Sequence, residues 1–187
     1  SHHYLAAAAA TFLHLPLEHL NLITFHLGNG DSICAIEKGK SIDISMGFTP
    51  LEGLIMGTRC GDIDPEILLY LQKTKGFSPE QIDVLLNKES GLRGICGKSD
   101  MRDITHAAQN GDDDALLAIE MFTYHAKKYL GGYLAVLGRV DVIVFSGGIG
   151  EHSALIRKKI LSGLEFFGIA LDHDANFNDS LEPFTIH

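Results

Sequence analysis

The sequence predicts an α/β domain built on a mixed sheet, and three observations support this. Short apolar, strand-like segments lie near the start of the chain, a long stretch with helical periodicity lies in its second half, and a further apolar run follows that stretch. The 187 residues, 45% of them hydrophobic and 21% charged, are ordinary for a globular protein with one sizeable core. We therefore expect one domain over residues 1–187.

The first elements predicted are a helix and a three-stranded meander. The alanine-rich residues 6–13 are typical of the end of a helix. Asn21–His26, Ser32–Glu37 and residues 41–45 are short apolar or alternating segments separated by turn sequences. They predict three strands that are neighbours in the sheet.

A long loop and two surface helices are predicted next. Residues 48–64 are rich in glycine and lack periodicity, which favours a functional loop over a packed element. Pro65, with Asp64 as cap, suits the first turn of a helix ending near Lys75, and Ser78 caps another helix that runs towards Asn87.

The remaining elements are one long helix, a strand and a shorter helix. Apolar residues recur at intervals of three or four over residues 112–137, which predicts a single helix. Residues 140–145 are continuously apolar, as in a central strand covered on both faces, and residues 153–164 predict a helix behind it. Residues 183–187 resemble the beginning of a last strand.

Charge and cysteine content exclude several function classes. The formal charge is -9 and there is no block of lysine or arginine, so we expect neither a nucleic-acid nor a membrane partner. Cys34, Cys60 and Cys96 form no Cys-x-x-Cys pair, which argues against a zinc site or a disulfide framework. With no secretory signal and no apolar run long enough to span a bilayer, a cytoplasmic protein is expected.

Two glycine segments each follow a strand-like run, and together they suggest a phosphate-bearing ligand. They are His26-Leu27-Gly28-Asn29-Gly30 and the run from Ser146 to Glu151 that contains Gly147, Gly148 and Gly150. Glycine lets backbone N–H groups approach an anion closely. The plainer alternatives are an Asn-Gly hairpin for the first and a tight strand-to-helix connection for the second. Neither segment completes a dinucleotide fingerprint, and residues 91–99 imitate a P-loop with one residue too many.

Arg59 stands among small residues in the long glycine-rich loop. An accessible guanidinium there can spread positive charge over the oxygens of a phosphoryl group during its transfer. The alternative is that Arg59 pairs with Asp62 or Asp64 and only fixes the loop.

These segments together resemble the acetate kinase family, the acyl-phosphate-forming branch of the sugar kinase, Hsp70 and actin superfamily. The resemblance covers essentially the whole chain and is strongest at residues 26–30, 43–53, 56–65 and 147–151. It implies a ribonuclease H-like mixed sheet flanked by helices, as in one actin-like ATPase domain. Because family members are about twice as long, we expect this chain to be their C-terminal nucleotide-binding domain, without the N-terminal domain and the extreme C-terminus.

The resemblance also implies roles for individual residues. His26 and Arg59 would be catalytic, His26 as a donor to the γ-phosphate of ATP and Arg59 as the cation that stabilises the transferring group. The first glycine segment would contact the β- and γ-phosphates, and two further segments would lie near the nucleoside, although many relatives have asparagine at the position of His152. The residues implied to bind ATP or ADP are His26, Leu27, Gly28, Asn29, Gly30, Asp100, Met101, Arg102, Gly148, Ile149, Gly150, Glu151 and His152.

The function implied is ATP + acetate to ADP + acetyl phosphate by direct in-line transfer. Mg²⁺ would be held by residues in segments that this chain does not contain, the isolated chain would be inactive, and the enzyme would be a homodimer through this domain. Two alternatives stay open: a propionate or butyrate kinase of the same family, and a non-catalytic nucleotide-binding module.

Overall fold

The computed structural model of the chain describes residues 1–177, 183, 185 and 186. The chain divides into two compact units. Unit 1 consists of Ser1–Gly28, Ser32–Ile44 and Thr123–His187, and unit 2 consists of Asn29–Asp31 and Ser45–Phe122. Among the described residues, no helix is long and apolar enough to cross a bilayer.

Unit 1 contains a four-stranded mixed sheet with the strand order β3-β2-β1-β4. Strands β1 (Asn21–His26), β2 (Ser32–Glu37) and β3 (Lys40–Ile44) form the predicted antiparallel meander, and β4 (Val142–Ser146) pairs with β1 in parallel. The Asn-Gly segment between β1 and β2 is therefore a hairpin connection, as its plainer interpretation requires. The predicted mixed sheet is confirmed.

The position of β4 in the sheet differs from the prediction. Its first four residues are only half-buried, and β4 is an edge strand of the sheet formed by the described residues. The apolar run is explained by packing against its neighbour, since the Phe145 ring stacks on the Phe25 ring with the centroids 4.8 Å apart. A continuous apolar run alone cannot distinguish a central strand from an edge strand of this kind.

Helices α1 (His2–Phe12), α7 (Gly147–His152), α8 (Ala154–Leu161) and α9 (His173–Asn176) belong to unit 1. The small side chains of Ala6 and Ala10 on α1 pack into a cluster with Leu22 of β1. This explains the alanine run, because alanine lets a helix lie close to a sheet. Of the strand predicted over residues 183–187, Phe184 and His187 lie outside the described residues, and Pro183, Thr185 and Ile186 are not in a strand.

Unit 2 consists of a long loop followed by helices α2 (Glu66–Lys75), α3 (Pro79–Lys88), α4 (Gly91–Cys96) and α5 (Met101–Gln109). Helix α6 (Asp113–Leu137) begins in unit 2 and ends in unit 1, and it is the predicted long helix. The loop over residues 48–64 contains no helix or strand, as predicted. Ser78 caps α3 in a full capping box with Gln81.

Candidate active site

Within unit 1, the first three residues of the first glycine segment, His26 to Gly28, lie beside the second glycine segment. Because β1 and β4 are parallel neighbours in register, with His26 opposite Ser146, both segments leave the same edge of the sheet. The Leu27 N–H donates to the Ser146 carbonyl at 2.8 Å, and the Ile149 N–H donates to the Leu27 carbonyl at 2.9 Å. The His26 Nδ1 lies 3.1 Å from the Ser146 hydroxyl. Four predicted site residues, His26, Leu27, Ile149 and Gly150, are thus joined through backbone contacts at one edge.

The second glycine segment is a short helix, α7, rather than a simple turn. At its start, Gly147 has a φ of +78°, and a Cβ there would lie 2.4 Å from the Leu27 carbonyl oxygen. Only glycine fits this close approach of two chain segments. The Glu151 carboxylate accepts a hydrogen bond from the Gly147 N–H at 2.9 Å, so it caps the helix from within.

The space into which a side chain at Gly28 would project is empty in the folded chain. A Cβ built on Gly28 would meet nothing within 4 Å, and the same holds for Gly148 on α7. Packing inside the chain therefore does not explain these two glycines. They fit the close approach of an anion to the backbone, as the resemblance implies for ATP.

Within unit 2, Arg59 lies beside Gly30, the last residue of the first glycine segment. A Cβ on Gly30 would lie 3.0 Å from the Arg59 Nη1, and a Cβ on Gly57 would lie 2.9 Å from the Asn29 Oδ1. The guanidinium donates a weak hydrogen bond from Nη1 to the Met56 sulfur at 3.8 Å. Small residues at these positions leave room for the guanidinium beside the backbone.

Arg59 forms no ion pair among the described residues. Asp62 instead accepts a hydrogen bond from the Gly53 N–H, and Asp64 accepts one from the Glu66 N–H, both at 2.9 Å. The alternative in which Arg59 only fixes its loop through Asp62 or Asp64 is therefore wrong. Its positive charge is available to a ligand.

The loop that carries Arg59 is fastened to the C-terminal end of α3. The Thr58 hydroxyl donates to the Asn87 carbonyl at 2.9 Å, and the Cys60 N–H donates to the Leu86 carbonyl at 3.0 Å. The Ser90 N–H returns a hydrogen bond to the Thr58 carbonyl at 3.1 Å. These bonds satisfy helix-terminal carbonyls and fix the loop backbone on both sides of Arg59.

A pocket of about 400 Å³ lies in unit 2 between this loop and α3. The sequence predicts Asn29 and Arg59 as site residues, but it predicts α3 only as a surface helix. Its polar residues carry no signal that separates them from solvent-facing ones, because only the folded loop brings them to Arg59. The residues lining the pocket are Asn29, Thr58, Arg59, Asp83, Asn87 and Lys88.

The segment Asp100-Met101-Arg102 begins α5. The Asp100 carboxylate caps the helix by accepting from the Arg102 N–H at 2.9 Å and also pairs with the Arg102 guanidinium at 2.6 Å. The hydrogen bonds from Arg102 hold the pKa of Asp100 at about 2. Met101 is only 4% exposed and packs in the core, so its side chain is not presented to a ligand. The Ser99 carbonyl just before this segment would lie 3.2 Å from a Cβ on Gly57.

Within the described part of the chain, no group of three or more His, Cys, Asp or Glu side chains is arranged to hold a metal ion. The predicted nucleotide residues that lie in unit 1 are His26 to Gly28 and Gly148 to His152, and those in unit 2 are Asn29, Gly30 and Asp100 to Arg102.

Comparison with known proteins extends over nearly the whole chain. The sequence signature described as "Acetokinase family" matches residues 1–185. An acetate kinase of Sulfurovum sp. is 55% identical over 188 residues, covering 100% of this chain and 48% of that protein. An acetate kinase of Syntrophobacter fumaroxidans is 55% identical over 179 residues, covering 96% of this chain and 44% of that protein. The chain thus spans about half the length of the curated relatives it matches.

Solved structures agree with this assignment. The crystal structure of Porphyromonas gingivalis acetate kinase superposes with a TM-score of 0.92 at 46% identity, covering 94% of this chain and 44% of that one. A propionate kinase from Francisella tularensis superposes with a TM-score of 0.90 at 48% identity, covering 95% of this chain and 46% of that one. The predicted ribonuclease H-like, actin-like ATPase fold is confirmed. On sequence and on structure alike, this chain belongs to the acetokinase family.

Proposed function

We propose that this chain is the nucleotide-binding half of a kinase that transfers a phosphoryl group from ATP to a carboxylate, with acetate as the acceptor. The observation that carries the proposal is Arg59, a cation without a counter-ion among the described residues, set in a polar pocket beside Gly30. Family membership supplies the reaction class, since the curated relatives are named acetate kinases. In terms of those relatives, we assign the chain to their C-terminal domain.

In this proposal the residues act by position and charge. The empty space beside the Cα atoms of Gly28 and Gly148 admits the phosphate chain and the nucleoside, respectively, and His26 donates to the γ-phosphate. Arg59 stabilises the negative charge on the phosphoryl oxygens during direct in-line transfer. Neither His26 nor Arg59 is proposed as a nucleophile.

The proposal includes Mg²⁺ and a second subunit. The chemistry that Mg²⁺ supplies when bound is neutralisation of phosphate charge. We assign its ligands to residues of the enzyme outside this chain. We further propose a homodimer formed through this domain, as the resemblance implies.

Propionate is the second candidate acceptor. It is favoured by the propionate kinase of Francisella tularensis, which is as similar to this chain as the acetate kinase structure is. One extra methylene changes discrimination by only about 10- to 200-fold, so small differences in the acceptor pocket decide between the two acids.

The test replaces Arg59 in the enzyme completed to the length of its relatives. Arg59→Ala is expected to lower kcat for acetyl phosphate formation by more than about tenfold, which corresponds to about 1.4 kcal/mol of transition-state stabilisation. Arg93→Ala is the matched control, because Arg93 is an exposed arginine of unit 2 that does not line the pocket. A loss smaller than tenfold in Arg59→Ala would exclude the transition-state role.

A second assay tests whether this chain is only half of the catalytic machinery. The purified 187-residue chain is expected to bind nucleotide and to form no acetyl phosphate. Measurable turnover by the chain alone would overturn the assignment as a half-enzyme. A completed protein that binds ADP but shows no kinase activity would favour the non-catalytic nucleotide-binding module.

A further inference from the structure

The last turn of α3 forms one side of the Arg59 pocket. Asn87 and Lys88 both line it, and both belong to the turn whose carbonyls accept hydrogen bonds from the Arg59 loop. The bond from the Thr58 hydroxyl to the Asn87 carbonyl joins the residue before Arg59 to the residue before Lys88. The backbone positions of the two cations are therefore fixed relative to each other within unit 2.

The charges in this pocket favour an anion. Two cations, Arg59 and Lys88, line it with one carboxylate, Asp83. The Asp83 carboxylate accepts a hydrogen bond from the Asn87 amide at 3.0 Å, and no ion pair joins it to Lys88. Neither cation has a carboxylate partner among the described residues, although elsewhere in unit 2 Lys98 pairs with Asp112 at 3.4 Å. In a chain with a net charge of -9, two cations against one carboxylate give this pocket a local excess of positive charge.

We propose that Lys88 is a phosphoryl-binding residue that works with Arg59 on the same group. This inference rests on the proposed function, because it names a further residue of the same site. A cation in the last turn of a helix is also favoured by the helix dipole, but that effect does not require it to share a pocket with Arg59. Lysine suits the role as a mobile point charge that can follow a phosphoryl group, while the planar guanidinium of Arg59 is held by its loop.

The experiment compares three lysine variants of the 187-residue chain by isothermal titration. Lys88→Met removes the charge and keeps the aliphatic stem, and Lys73→Met is the matched control, since Lys73 is an exposed lysine of α2 in the same unit. The ligands are ATP, acetyl phosphate and AMP. Lys88→Met is expected to weaken ATP or acetyl phosphate binding about tenfold and to leave AMP unchanged. Lys73→Met is expected to change none of them, and Lys88→Arg is expected to restore most of the affinity.

The outcomes separate this inference from the proposed function. Weakened ATP binding identifies the phosphoryl group as that of the nucleotide, and weakened acetyl phosphate binding alone identifies it as that of the acyl phosphate. If the unmodified chain binds ATP and Lys88→Met binds both ligands as well as Lys73→Met does, the role of Lys88 is wrong and the proposed function stands. If the unmodified chain binds no nucleotide, the proposed nucleotide-binding half fails, and the inference fails with it.

Discussion

At the residue scale, the substitution Gly28→Ala tests whether this glycine is needed for ligand binding or for folding. A methyl group at Gly28 meets nothing within 4 Å in the folded chain, so Gly28→Ala is expected to change the free energy of unfolding by about 0.5 kcal/mol or less. Under the proposed function, the same methyl group would occupy the space through which a phosphate approaches this segment. We therefore expect ADP to bind Gly28→Ala at least about tenfold more weakly, measured by isothermal titration.

Two other glycines provide the comparison for Gly28→Ala. Gly147→Ala is expected to unfold the chain or destabilise it by more than about 3 kcal/mol, because its Cβ would lie 2.4 Å from a backbone oxygen at a positive φ. Gly131→Ala, in the middle of α6 with open space around it, is expected to add up to about 1 kcal/mol and to leave ADP binding intact. If Gly28→Ala binds ADP as well as Gly131→Ala does, the phosphate role of Gly28 is wrong.

His2 makes folding depend on pH. Its Nδ1 lies 2.7 Å from the Thr24 hydroxyl and its Nε2 lies 2.8 Å from the Ser32 hydroxyl, so a neutral ring links β1 and β2. Burial, with smaller effects from the positive charges of the terminal amine and His26, lowers the pKa of His2 to about 4. The unfolded chain therefore takes up a proton between about pH 6.5 and 4 that the folded chain does not.

The stability that comes from neutral His2 is complete above about pH 6.5 and is lost as the pH falls towards 4. After allowance for its partial exposure, we expect about 1 kcal/mol. His2→Gln keeps a donor and an acceptor but does not titrate, so its free energy of unfolding should fall less between pH 7 and 4.5, measured by urea denaturation. Equal slopes in the two proteins would show that other groups carry the whole pH dependence.

At the scale of elements, the sequence predicted those whose signals are local. The meander, the helix that Ser78 caps and the long periodic α6 were predicted correctly, because alternation, capping residues and helical periodicity do not depend on distant contacts. Helices α4 and α5 were missed, since both are short and are stabilised by what they contact: Gly91 at the start of α4 packs against the carbonyls of Met56 and Arg59. The edge position of β4 depends on the pairing of distant strands, which no local pattern contains.

The position of helix α7 is fixed by Arg157 of helix α8, and no pattern in the sequence links these two helices. Arg157 of α8 is 4% exposed and donates to the Gly150 carbonyl at 2.9 Å and to the Asn176 side-chain oxygen at 2.8 Å. It also donates to the carbonyls of Glu151 and Asn176. One buried guanidinium therefore holds the end of α7 against α9.

Arg157→Met is expected to destabilise the chain by about 3 kcal/mol, because several buried acceptors lose their donor together. Urea denaturation measures this loss. Arg139→Met is the control: the Arg139 side chain is 80% exposed in its pair with Asp141, so its removal should cost about 1 kcal/mol or less. A similar small cost for both variants would mean that Arg157 does not determine the position of α7.

At the scale of the whole molecule, the candidate site was predicted only in part. Arg59 and the glycine segments were identified because they carry patterns in the sequence, but Thr58, Asn87 and Lys88 reach the site only through folding of unit 2. In the sequence, the neighbours of the Arg59 loop are β3 and α2. Its hydrogen bonds to α3 are visible only in the folded structure.

Net charge is a property of the whole chain that sets its response to salt. Fifteen basic and 24 acidic residues give a charge of -9, whereas the ion pairs Lys98–Asp112, Arg102–Asp100 and Arg139–Asp141 involve partly or largely exposed side chains that contribute little to stability. Raising NaCl from about 20 to about 200 mM shortens the Debye length from about 21 to about 7 Å, which screens the self-repulsion of the folded chain. We expect the free energy of unfolding at pH 7, measured with urea because it is uncharged, to rise by about 0.5 to 1 kcal/mol.

At pH 5.5, the pI of the sequence, the same salt change should have almost no effect on the free energy of unfolding. Stability that falls with salt at pH 7 would mean that local ion pairs outweigh the net charge.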